Sequence, residues 1–186
     1  MADTWSFRSI TRALLPILLV LTVLELVGGL TLDAYEMTLL QYPTLLVLVP
    51  VTIGTAGNLG SILAARLSTA FHLGTLSFAA DDETLLGSAA ATLALAVTAF
   101  PLVGVGGWLL TWLTATPRLP VTTVLAVALT SGVLLALLAV AVTVLAAALA
   151  YRFELDPDDV VIPVVTNVCD VLGVLVLLAV VEVLVQ

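Results

Sequence analysis

The sequence predicts an all-α integral membrane protein, built as a bundle of five transmembrane helices. Of its 186 residues, 62% are hydrophobic and only 10% are charged, and the mean hydropathy is +1.27, whereas soluble domains carry about 25% charged residues. A bilayer core about 30 Å thick requires roughly 20 helical residues per crossing. The chain therefore has room for about five crossings and short loops, and we expect a single transmembrane domain over residues 1–186.

Five apolar segments are each long enough to cross the membrane. The first follows Arg8 and Arg12 and resembles a signal peptide, but its apolar run is long for one and lacks a clear A-x-A cleavage site. We therefore interpret it as a retained span. The predicted spans cover residues 10–32, 43–65, 85–113, 120–150 and 160–185.

The third and fourth segments exceed the minimum length, so they should tilt, kink or project from the bilayer. Pro101, followed by Gly104, Gly106 and Gly107, predicts a bend in the third segment. A split there into a helical hairpin would give six or seven crossings, and the sequence leaves that alternative open.

The arginines predict the orientation. Arg8 and Arg12 precede the first span, Arg66 opens the second loop and Arg152 opens the fourth, while only Arg118 lies in an odd-numbered loop. By the positive-inside rule the N-terminus is cytoplasmic and, with five spans, the C-terminus is outside. We expect a multi-pass protein of the cytoplasmic membrane.

The remaining composition excludes several classes of function. Thirteen acidic residues against five arginines and no lysine argue against nucleic acid or anionic lipid as the main partner, and this acidic composition resembles that of proteins from salt-loving archaea. Cys169 is the single cysteine, so the chain forms no internal disulfide. The chain has no zinc-type cluster, nucleophile elbow or phosphate-binding loop, so we expect no enzymatic activity and no organic cofactor.

Asp170 lies within the last predicted span. A central aspartate costs roughly 2.5–3.5 kcal/mol on insertion scales and normally faces a bundle interior or a water-filled path. Thr166 and Asn167 precede it by four and three residues and share its helix face, and Pro163 frees a backbone carbonyl nearby. These oxygens indicate a cation site. The alternative is a protonated or hydrogen-bonded aspartate that serves packing alone.

The second span contains the unusual stretch "PVTIGTAGNLGS", residues 50–61. Its small residues are typical of a helix-packing face. Packing alone does not explain Asn58, because a side-chain amide is costly in lipid unless it is hydrogen-bonded or lines a water-filled cavity. The alternative to simple packing is that this span lines an ion path. The residues concerned are Pro50, Gly54, Gly57, Asn58 and Gly60.

Two further features extend this hypothesis. "VLVPVTIGTAGNLG" and "VVIPVVTNVCDVLG" share the same Pro and Leu-Gly spacing, so that Gly60 corresponds to Gly173 and the two spans are expected to do related work. Glu25, in the first span, is a candidate ion-coupling residue, or else it reaches the headgroups near the outer boundary.

"LLVLVPVTIGTAGNLGSILAARLSTAFHLG", residues 45–74, and "DPDDVVIPVVTNVCDVLGVLVLL", residues 156–178, resemble the two signature regions of the membrane domain of MgtE-type magnesium transporters. The same two segments also resemble the corresponding regions of the related animal transporters of solute carrier family 41. This resemblance implies Mg²⁺ transport through a pore between two five-helix units, lined by the second and fifth spans. The acid of the last span corresponds to Asp170, and the Gly-Asn region to Gly57 and Asn58.

The resemblance does not extend to cytoplasmic magnesium-sensing domains, because the first span begins almost at once. It implies that the unit pairs with a second copy or a paralogous half-transporter. Two other hypotheses remain open: exchange of Mg²⁺ against Na⁺ or H⁺ with Glu25 as coupling site, and a non-conducting subunit that requires a paralogous or regulatory partner.

Overall fold

The computed structural model describes residues 7–79 and 81–185, and in this part of the chain it contains helices and no strand. Five helices are long and apolar enough to cross a membrane, which confirms the predicted all-α membrane fold and its five spans. A short sixth helix lies between the first two spans. The helices are α1 (Phe7–Ala34), α2 (Glu36–Gln41), α3 (Pro43–His72), α4 (Glu83–Thr114), α5 (Val121–Arg152) and α6 (Pro157–Val185).

The third long helix, α4, settles the hairpin alternative. It runs without interruption from Glu83 to Thr114 and includes Pro101, so the third segment crosses as one helix. It packs on α5 through the fully buried Phe100, whose ring occupies the space that a side chain at Gly132 would need. Glycine lets the two helices approach at this point.

The helices α3 and α6 form the centre of the bundle. They pack against each other and against α5, while α4 packs on α3 and α5. By contrast, within the described residues the backbone of α1 approaches α6 closely but does not approach α3, α4 or α5. It is the least buried of the five long helices. A gap therefore remains between α1 and α3, on the surface of α6.

Four arginines lie at one end of the bundle, which we call the arginine end. Tyr151 near the end of α5 makes an edge-to-face contact with Phe71 near the end of α3, and α6 begins beside them. At the opposite end, the Tyr35 hydroxyl donates to Glu182 Oε2 over 3.0 Å, so α1 and α6 run in the same direction. The arginine end therefore contains Arg8, Arg12, Arg66 and Arg152. Arg118 lies at the opposite end, where it donates a hydrogen bond to the Gln41 carbonyl. The chain ends, residues 1 and 186, whose location was also predicted, fall outside the described residues.

The connection between α3 and α4 is held by Asp82, the N-cap of α4. Its Oδ1 accepts from the amides of Thr84 and Leu85, and its Oδ2 accepts from the amide and hydroxyl of Ser77. These hydrogen bonds lower the pKa of Asp82 to about 2. The largest contribution comes from the backbone amide of Ser77, followed by that of Leu85. The carboxylate therefore ties the loop to the first turn of α4 at neutral pH.

Candidate ion site

The seam between α3 and α6 is built on three glycines. Asp170 lies against Gly57, Val165 and Cys169 lie against Gly60, and Gly173 lies against Ile53. As the α3 residue number rises, the α6 number falls, so the two helices are antiparallel. A Cβ at Gly57 or Gly60 would meet atoms of α6 closer than normal contact distance, so these glycines are what lets the two backbones approach.

The seam also relates the two similar segments to each other. Gly57 and Asp170 each lie seven residues after the proline of their segment, and they face each other. On either side, Gly173 meets Ile53, three residues after Pro50, and Gly60 meets Val165, two residues after Pro163. The corresponding glycines of the two similar segments thus both pack in the antiparallel seam.

The Asp170 carboxylate is divided between two environments. Its Oδ1 is buried and has no hydrogen-bond partner, while the side chain as a whole is partly exposed and lines a cavity. A buried, unpartnered carboxylate oxygen is costly unless an ion or a donor completes it. The site therefore suits a ligand with positive charge.

The two neighbouring polar side chains hydrogen-bond back to their own helix. Thr166 Oγ1 donates to the Ile162 carbonyl over 2.9 Å, and Asn167 Nδ2 donates to the Pro163 carbonyl over 2.8 Å. These bonds hold both side chains on the Asp170 side of α6, where all are partly exposed. The amide oxygen of Asn167 stays available as an acceptor.

On α3, the polar and small residues divide between two faces. Gly57 and Gly60 are buried in the seam, whereas Pro50, Gly54 and Asn58 are exposed on the outer side of the protomer. Their spacing of four residues makes a continuous stripe. On α6, Gly173 is buried and Pro163 is partly exposed. The predicted pore-lining residues thus comprise three that pack the seam and three that face outwards.

The structure brings Glu25 into the same cavity as Asp170. This cavity, of about 230 Å³, lies over α6 in the gap between α1 and α3, and Gly28 and Gly29 of α1 form part of its wall. Gly28 contacts Val171 and Val174. The sequence predicted only that Glu25 lies near the outer boundary of its span. Nothing in the sequence indicated that Glu25 and Asp170 line the same cavity.

Within the described residues no group of three or more histidine, cysteine or acidic side chains is arranged to hold a metal. The cavity therefore offers an ion at most two of the described carboxylates, those of Glu25 and Asp170, with amide and carbonyl oxygens nearby. Such a set suits a cation that keeps part of its water.

A multi-pass membrane bundle with a carboxylate on a polar seam has the characteristics of a cation transporter. The sequence matches the family model described as MgtE, divalent cation transporter, over residues 49–180. This match covers more than half of the chain, including all of α4 and α5, nearly all of α6 and most of α3. The chain belongs to the MgtE family of divalent cation transporters, which confirms the resemblance found in the sequence. A search of curated proteins found no match.

Proposed function

We propose that this protein transports Mg²⁺ across the cytoplasmic membrane, through a path lined by α3 and α6 between two copies of the chain. Asp170 is the ion-binding carboxylate, assisted by Asn58, Thr166 and Asn167. The outward stripe of α3 and the partly exposed face of α6 line the path, and Gly57, Gly60 and Gly173 support it by packing the seam. The arginine end is cytoplasmic.

The observation that carries this proposal is the Asp170 carboxylate, which makes no hydrogen bond among the described residues and lines an open cavity on α6. A buried carboxylate oxygen in a membrane protein requires compensation, and the described residues supply none. A cation transporter supplies it with its own substrate. Mg²⁺ in particular is held by one or two carboxylates and retains several waters, which agrees with the short list of protein ligands here.

The exposed face of α3 and the position of Asp170 support a dimer. Asp170 places one carboxylate on the α3–α6 seam, and two copies about a twofold axis would bring two such carboxylates to a shared path. The second copy also covers Asn58, whose side chain is exposed on the outer face of α3 and would otherwise face lipid at a cost. A paralogous half-transporter with the same seam would serve equally.

The test is Mg²⁺ entry into dye-loaded liposomes that contain the purified protein. Asp170→Asn should lower flux at least about tenfold, because one unit charge near a divalent ion contributes several kcal/mol at an effective dielectric of about 20. Asp159, an exposed residue in the first turn of α6, supplies the matched control, and Asp159→Asn should retain flux. Equal flux for Asp170→Asn and the wild type would refute the assignment. No flux from a folded wild type would indicate a subunit that requires a partner.

Exchange is a second candidate, favoured by the cavity that Glu25 shares with Asp170. A carboxylate beside the ion path offers a place for a counter-transported Na⁺ or H⁺. Under this mechanism an imposed Na⁺ or proton gradient should drive Mg²⁺ flux in the wild type, and Glu25→Gln should abolish the effect. Flux that ignores both gradients would exclude exchange.

A further inference from the structure

A second polar cavity lies at the arginine end, between the last turns of α3 and the first turns of α4. It has a volume of about 450 Å³ and we call it the Arg66 cleft. Its polar wall is formed by Arg66, Thr69, Thr75, Thr84 and Ser88, and its apolar wall by Ala65, Ala70 and Leu73. We propose that the Arg66 cleft binds the phosphate group of a membrane phospholipid. This proposal goes beyond the transport function and does not rest on it.

The charge of Arg66 is the first reason. Its Nε donates to Ser88 Oγ over 3.5 Å, and the described residues place no carboxylate in an ion pair with it. The Asp82 carboxylate, in the adjoining loop, accepts four hydrogen bonds from other groups. In a chain with 13 acidic residues and five arginines, an arginine without an acidic partner is available for an external anion.

The available donors are the second reason. Thr69 donates its hydroxyl to the Ala65 carbonyl, so it contributes no donor to the cleft. The hydroxyls of Thr84 and Ser88 make no such donation among the described residues, and the guanidinium keeps its terminal N–H groups. A guanidinium fork with two hydroxyls matches the oxygens of a phosphate. The amides of Thr84 and Leu85 are occupied by Asp82, so the α4 N-terminus takes no part.

Depth in the membrane identifies the source of the phosphate. The 30 residues of α3 give a length of about 45 Å, which equals the full thickness of a bilayer with its headgroups. Arg66 lies less than two turns from the end of α3, at the level of the headgroups. The exposed Leu73 and the alanines of the apolar wall suit the glycerol and acyl part of a lipid. A free phosphate would use neither.

The experiment compares wild type with Arg66→Gln, and uses Arg152→Gln as the matched control. Arg152 lies at the same end, is exposed and does not line the cleft. Lipids retained after purification in detergent are counted by native mass spectrometry, and the unfolding temperature is measured against added short-chain phosphatidylglycerol and, separately, inorganic phosphate. We expect Arg66→Gln to weaken lipid binding about tenfold or more, and Arg152→Gln to bind as the wild type does.

Three results would overturn the proposal. These are equal lipid binding by wild type and Arg66→Gln, equal weakening by Arg152→Gln, and stabilisation by inorganic phosphate at the same concentrations as the lipid. If Arg66→Gln does not fold, Arg66→Lys retains the charge and loses the fork. It should then bind lipid several-fold more weakly than the wild type, and unweakened binding by that variant would also count against the cleft.

Discussion

Replacing Gly57 with alanine should weaken cation binding without removing a charge. An alanine Cβ would overlap Asp170 Oδ1 and lie 3.3 Å from its carboxyl carbon and 3.4 Å from Thr166 Cγ2. To restore normal contact distances the carboxylate must move by about 1 Å. We expect this shift to lengthen the distance between the carboxylate and a hydrated divalent ion from about 4 Å to about 5 Å, which lowers their attraction from about 8.3 to about 6.6 kcal/mol at an effective dielectric of about 20. The difference of about 1.7 kcal/mol corresponds to roughly 15- to 20-fold weaker binding.

The assay is the Mg²⁺ concentration that gives half-maximal flux into liposomes. Gly57→Ala should raise this concentration by about that factor. Gly87→Ala is the matched control, because Gly87 lies in a helix with open space around its Cβ position and far from the seam. A half-maximal concentration within twofold of the wild-type value for Gly57→Ala would refute the idea that this glycine sets the position of the carboxylate. Size-exclusion profiles and unfolding temperatures would show whether each variant is folded.

Two further predictions concern stability. Gly132→Ala should destabilise the protein by about 1–3 kcal/mol, because the new methyl group would overlap the buried Phe100 ring. Gly106→Ala is the control and should not destabilise it, because Gly106 has open space around its Cβ position. Thermal unfolding in detergent measures the stability of both variants. The pKa of Asp82 is lowered to about 2 in the folded protein, whereas an ordinary aspartate has a pKa of roughly 3.9. The ionised Asp82 therefore stabilises the folded state fully above about pH 4, and this stabilisation is lost as the pH falls from about 4 through about 2. Asp82→Asn should remove this part of the pH dependence in acid unfolding, and an unchanged acid transition would contradict the assigned role.

The sequence predicts the number of spans well, since lipid forces each crossing to satisfy its own backbone hydrogen bonds within a helix. It could not decide whether the third segment bends or splits at Pro101, because a proline in a membrane helix is tolerated where neighbours compensate for it. The sequence also could not predict that α1 packs on the outside of α6. Lipid is as apolar as a protein core, so an apolar helix face does not reveal which side is buried.

The candidate site was predictable in its polar members and not in its geometry. Asp170 is conspicuous because ionisable residues are rare in spans. Its proximity to Glu25 depends on how α1 packs on α6, where Gly28 contacts Val171 and Val174. Each of these three is an ordinary membrane residue when read alone. The shared cavity follows from their contact, which no local pattern in the sequence encodes.

The exposed face of α3 is the strongest physical reason to expect a partner surface. Asn58 continues the stripe of Pro50 and Gly54 on the outer side of the protomer, and its side chain makes no hydrogen bond within the described residues. An amide in contact with hydrocarbon costs several kcal/mol, whereas the same amide beside a hydrated ion costs little. The seam glycines bring Asp170 to the edge of this face, so a surface that covers the stripe would also enclose the carboxylate. Under the proposed dimer, the same surface would therefore compensate for both the unpaired Asn58 amide and the unpaired Asp170 charge.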